Sequence, residues 1–159
     1  AMPTAVAATG IASVPGRPIN TGYLTCFFEG NLLAHFHVNW LSPVKIRRTL
    51  ISGDKKMLVW DDLSSDEKIK IYDRGVEFKS ATGSLGNGIH DLLVSYRSGD
   101  MYVPKIDSTE ALKAEVEYFA RCLERNEEPF NNGQAGLQVV RLLEAADLSI
   151  KNNGQRIKL

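Results

Sequence analysis

His35 and His37 stand two apart in "LAHFHVNW", residues 33–40, and two imidazoles at that spacing can grip one metal ion from the face of a β-strand. A catalytic zinc needs a third protein ligand, usually with a carboxylate nearby for proton transfer. The other histidine, His90, follows a glycine-rich run and has no HExxH-like partner. Alternation offers a simpler reading. His35, His37 and Asn39 fall on one side, and Ala34, Phe36, Val38 and Trp40 on the other, polar against apolar as a half-buried strand requires. The pair is read as the polar side of a sheet that meets a partner surface. No metal ligand and no catalytic residue is assigned; a zinc hydrolase using these two histidines is the weakest of the alternatives.

Cations gather next, in "NWLSPVKIRR". Pro43 breaks the strand, and Ser42, Lys45 and Arg47 follow Trp40 with hydroxyl, ammonium and guanidinium donors. Arg suits a bidentate grip on carboxylate or phosphate, Lys a point-charge contact. Lys45 and Arg47 are expected on one face of the following strand. Substrate contact and a solvated basic strand edge both remain open. A second polar-aromatic stretch, "SYRSGDMYVPK", carries Tyr96 and Arg97; it suits a sugar pocket or a structural Arg97–Asp100 turn. The candidate substrate-binding residues are therefore Trp40, Ser42, Lys45, Arg47, Tyr96 and Arg97. Asp61-Asp62 and Asp66-Glu67 read as a solvated acidic turn. Glycines 83, 86 and 88 run G-x-x-G-x-G before an extended segment, whereas dinucleotide binding needs the opposite order before a helix N-terminus. They read as a flexible hairpin loop, and no cofactor-binding residue is assigned.

The elements that position these residues are strands first and helices afterwards. Strands are expected at 23–28 and 32–40 about Glu29-Gly30-Asn31, at 44–52 and 56–60 about Gly53-Asp54-Lys55, and at 68–72 and 76–78 about Asp73-Arg74-Gly75. Each is rich in β-branched or aromatic residues, with turn residues between. A last strand is expected at about 91–103. From Asp107 the period changes to that of a helix. Leu112, Val116, Phe119 and Leu123 share a face, with Asp107 and Glu110 as a capping box and Pro129 beyond the stop. A second helix places Leu137, Val140 and Leu143, with Ala146 or Ile150, inward, and stops before Asn152-Asn153-Gly154. The fold class is α+β: an open, mostly antiparallel or mixed sheet with helices packed on one face and the other face free for oligomerisation.

Bulk properties narrow the partners. At 159 residues the chain is read as one domain with an ordinary core. Nineteen basic and nineteen acidic residues leave a formal net charge of zero, so nucleic acid and anionic membrane are not expected partners. Cys26 and Cys122 sit in apolar surroundings and read as buried free thiols, which makes the cytoplasm the expected location. No apolar run is long enough for a membrane helix. Ala1-Met2 reads as a tag remnant ahead of a piece of something longer.

Taken in order, "EGNLLAHFHVNWLSPVKIRRTLISGDKKMLVWDD", "YRSGDMYVPKID" and "EALKAEVEYFARCLERNEEPFNNGQAGLQVVRLLEAADLSIKNNG" resemble the C-terminal half of the glucose–fructose oxidoreductase / inositol dehydrogenase (Gfo/Idh/MocA) family, over nearly the entire chain. The resemblance implies a two-domain dehydrogenase that acts on sugars or nucleotide sugars. An N-terminal Rossmann domain would bind NAD or NADP and carry the catalytic lysine. The C-terminal domain, residues 1–159 here, would bind substrate and form a homo-oligomer through its open sheet. The segment matching Leu41–Lys45 brings substrate contacts to the cleft in such enzymes; this chain has Ser42 and Lys45 where some relatives have tyrosines. The cofactor loop and catalytic segment of the family are not in these residues, so the chain itself is expected to bind no cofactor and not to be catalytic. A stand-alone binding or scaffold module of the same fold is the alternative.

Overall fold

The computed structural model describes residues 1–80, 92–107 and 109–159. The glycine run 83–88 and His90 lie outside the described residues. The chain forms two compact units, Ala1–Pro43 with Glu110–Leu159, and Val44–Thr109.

The first unit begins with a strand that carries no aromatic or bulky pattern, β1 at Ala5–Ile11. Its sequence AVAATGI has little intrinsic strand signal, and pairing supplies what propensity lacks. β2 (Thr21–Phe27) and β3 (Leu33–Asn39) form the expected hairpin, with Gly30 at φ 72° in its turn. A two-residue strand at the chain's end, β10 (Ile157–Lys158), completes an antiparallel sheet of order β10-β1-β2-β3. The register sets Val6 opposite Cys26 and Cys26 opposite Ala34. These residues share the face that α2 (Gly133–Lys151) covers.

Large apolar residues mislead about which side of α2 faces inward. Leu137, Val140 and Leu143 are exposed, while Ala145, Ala146 and Ser149 are buried and Leu142 packs beside them. Small side chains let the helix approach Val6 and Ala8 closely, so the small-residue face wins the contact. Ser149, fully buried, fastens the helix: its hydroxyl accepts the Ala8 N–H at 2.8 Å and donates to the Gln155 carbonyl at 2.6 Å. That satisfies three polar groups that would be costly to bury unpaired. The helix stops where expected, at Asn152, followed by Asn153 and Gly154 with positive φ.

The first helix, α1 (Ala111–Arg125), starts later than Asp107 suggested. Glu110 is its N-cap and receives the N–H groups of Leu112 and Lys113 at 3.1 and 2.6 Å. Its carboxylate supplies what a capping serine or aspartate would. Asn126 closes the helix in the left-handed conformation. The stripe Leu112, Val116, Phe119 and Leu123 stays 53–69% exposed in this chain. Such a stripe on a helix ordinarily has a partner.

The second unit is built from β4 (Arg48–Ser52), β5 (Met57–Asp61), β6 (Ile69–Tyr72) and β9 (Met101–Tyr102), antiparallel in that order, and a separate hairpin of β7 (Gly75–Ser80) with β8 (Leu92–Arg97). β4 is shorter than the expected 44–52: its ladder with β5 ends at Arg48 opposite Asp61, with one further backbone bond from the Asp62 N–H to the Arg47 carbonyl at 3.0 Å. The expected strand at 91–103 is two strands in two ladders. Between them the chain turns at Gly99, where a Cβ would lie 2.5 Å from the Asp73 carbonyl, so only glycine fits. All described strand pairs are antiparallel, and the α+β class stands.

Candidate functional site

Trp40 follows directly on β3. Its backbone N–H donates to the Asn20 carbonyl at 2.9 Å while its indole stands 88% exposed. Asn39 turns its side-chain oxygen to the Leu41 N–H at 2.7 Å and so shapes the exit from the strand. Ser42 lies in the first unit, one residue before its boundary at Pro43; Lys45 and Arg47 lie at the start of the second, ahead of β4. The two cations therefore do not share a strand face, as 45–47 is not strand.

The basic pair Arg47-Arg48 meets the acidic pair Asp61-Asp62. Arg47 reaches Asp62 at 3.2 Å, and Arg48 reaches Asp61 at 2.8 Å. The acidic turn is thus more than solvated surface: the hairpin register that sets Arg48 opposite Asp61 brings the charges together. Arg48, helped by the Leu63 N–H, holds the Asp61 carboxyl below its ordinary pKa. Both pairs are exposed, where ion pairs contribute little to stability.

Tyr96 and Arg97 end β8. The Tyr96 ring is 82% exposed. Arg97 is committed to holding the unit together: its two terminal nitrogens bind the two Asp73 oxygens at 2.9 and 2.8 Å, and one also donates to the Lys55 carbonyl at 2.7 Å. Among the described residues its carboxylate partner is Asp73 rather than Asp100. The pairing pulls the Asp73 carboxyl below its usual range. Of the six candidates, Trp40 and Ser42 thus lie in the first unit and Lys45, Arg47, Tyr96 and Arg97 in the second. Taken one by one, they carry hydroxyl, cationic and aromatic groups of the kinds that contact polar ligands.

The histidines occupy the sheet face that α2 leaves uncovered. Tyr23, opposite His37, stacks on it at 4.6 Å and 8°, and on His35 at 6.0 Å and 24°. Thr25 Oγ lies 2.9 Å from His35 Nδ1. On the same face Arg156 covers the Phe27 ring at 4.0 Å. Sequence spacing found the two imidazoles; the register of β2 supplies their partners, Tyr23 and Thr25. Among the described residues no group of three or more His, Cys, Asp or Glu could hold a metal ion. Cys26 and Cys122 are buried free thiols, and burial pushes the Cys26 thiol up. No described helix is long and apolar enough to cross a membrane. At the helix starts, Glu110 receives the N–H groups of Leu112 and Lys113, and Asn132 receives that of Ala135.

No protein-family model and no curated protein matches the chain. Solved structures do. The aldose-aldose oxidoreductase of Caulobacter crescentus, complexed with glycerol, superimposes on 99% of this chain with a TM-score of 0.67 at 20% identity. The UDP-N-acetylglucosamine 3-dehydrogenase of Acidithiobacillus ferrooxidans superimposes on 98% with a TM-score of 0.71 at 18% identity. The fold of this chain is therefore one found in part of each of these two oxidoreductases. This chain spans 42% of the length of each of those two enzymes.

Proposed function

We propose that these residues form the substrate-side, C-terminal portion of an NAD(P)-dependent oxidoreductase that interconverts a hydroxyl and a ketone on a sugar or nucleotide sugar. The observation that carries this is the match of nearly the whole chain to under half of two enzymes named for sugar substrates. The nicotinamide cofactor and the acid/base group for the hydroxyl proton belong to a nucleotide-binding portion outside these residues. In that assembly the exposed α1 stripe gains cover, and the uncovered sheet face of Tyr23, His35 and His37 meets a second copy.

Trp40, Ser42, Lys45, Arg47 and Tyr96 are the proposed substrate contacts, with Lys45 the most direct. Arg97, read from the sequence as a substrate contact, is assigned here the different task of holding β8, and with it Tyr96, against Asp73. The test is nicotinamide absorbance in the full-length protein, with a panel of sugars and nucleotide sugars. At least one substrate should drive turnover, and Lys45→Ala should raise KM by about tenfold or more with an unchanged unfolding midpoint. Well-folded full-length protein that is silent across the panel would favour the scaffold alternative. Equal substrate binding by wild type and Lys45→Ala would remove the lysine from the site.

A further inference from the structure

One face of the β4–β5–β6 sheet holds a depression of about 240 Å³. Leu50 and Val59, adjacent in register, line it with apolar surface, and Tyr72 adds an aromatic ring. At its margins stand two complete ion pairs, Arg48 with Asp61 and Lys70 with Glu67. Lys70 is held above its ordinary pKa by Glu67, while Arg48 acts on it in the opposite direction, as a nearby like charge must.

The formal charge of this lining is zero, two cations matched by two carboxylates. A phosphate or carboxylate ligand would have to compete with Asp61 and Glu67 for cations they already hold. A cation would meet the mirror problem. What the lining offers freely is mixed: guanidinium and ammonium N–H groups beyond those in the pairs, carboxylate lone pairs, and a phenol that both donates and accepts. A neutral molecule carrying several hydroxyls can use both kinds at once, bridging each pair without breaking it. Its C–H surface would rest on Leu50, Val59 and the Tyr72 ring. The volume lies below the range of typical drug-sized ligand pockets, which limits the occupant to a single small ring.

We infer that this depression is a binding site for one neutral saccharide ring, held by hydroxyl contacts to Arg48–Asp61 and Lys70–Glu67 over an apolar floor. The inference stands on the residues of the second unit and is independent of where hydride transfer takes place. It is tested by nuclear magnetic resonance on the 159-residue chain, titrated with methyl glucoside and, separately, inorganic phosphate. Methyl glucoside should shift the Arg48 side-chain Nε–H and the Tyr72 ring signals saturably. Phosphate should leave them in place. The double variant Glu67→Gln, Lys70→Gln should keep the amide spectrum of the folded chain and bind about tenfold more weakly, the size of losing a hydrogen bond to a charged group. Tyr72→Leu, which keeps an apolar side chain there, should weaken binding in the same direction and gives a second readout if the double variant unfolds. No saturable shift with the sugar, equal shifts with phosphate, or sugar shifts confined to other residues would each overturn the site.

Discussion

Among the described residues of the second unit, two carboxylates have lowered pKa values: Asp61, through Arg48 and the Leu63 N–H, and Asp73, through Arg97. A carboxyl whose folded pKa lies below its unfolded value binds its proton more weakly in the folded state. Its stabilisation is therefore full above the unfolded value, about 3.9 for aspartate, and is lost as pH falls through the lower folded value. Both pairs are solvent-screened, so salt should weaken them. Urea midpoints measured across a pH series should show wild type more stable than the double variant Asp61→Asn, Asp73→Asn at neutral pH. The gap should close below about pH 4 and narrow in high salt. A gap that grows on acidification would contradict these assignments. Such pairs also mark the limit of reading residues singly. Arg47-Arg48 and Asp61-Asp62 are both visible in the sequence, yet only the hairpin register shows that they face one another.

Among the elements, the hairpins were legible because turn residues such as Gly30 punctuate strongly patterned strands, and β2 and β3 lie almost where alternation places them. β1 was not legible, since AVAATGI is small and nearly uniform and becomes a strand only by lying between β10 and β2. Both helices were evident from their period, but not which faces they bury. Periodicity reports that apolar residues share a side; it does not say that a partner is present in the same chain. The α1 stripe is exposed, and α2 packs through Ala145, Ala146 and Ser149 with Leu142 beside them, while Leu137, Val140 and Leu143 stay exposed. A matched pair of substitutions separates these two surfaces. Leu123→Gln should change the unfolding free energy of the 159-residue chain by no more than about 0.5 kcal/mol, as an exposed site allows. Leu142→Ala, beside the core of Val6, Cys26 and Ala145, should cost about 2 kcal/mol. Equal costs would show that the stripe is packed within this chain. The candidate site was legible as a set of chemically suitable residues; Arg97 differs, because its Asp73 partner lies 24 residues away and only the fold brings it near.

For the whole molecule, a sheet with one face covered by α2 and the other bearing Tyr23, His35 and His37 suits a symmetric pairing of like faces. Sedimentation at rising concentration should show self-association of the chain, and Tyr23→Glu should suppress it; a strict monomer throughout would exclude that role for the face. The proposed division of labour between a substrate-side portion and a cofactor-holding portion makes a sharper demand. NADH and NADPH fluorescence, titrated with the folded 159-residue chain and in parallel with the full-length protein, should remain unchanged in the first and respond saturably in the second. Saturable cofactor binding by the 159 residues alone, or none by the full-length protein, would contradict it.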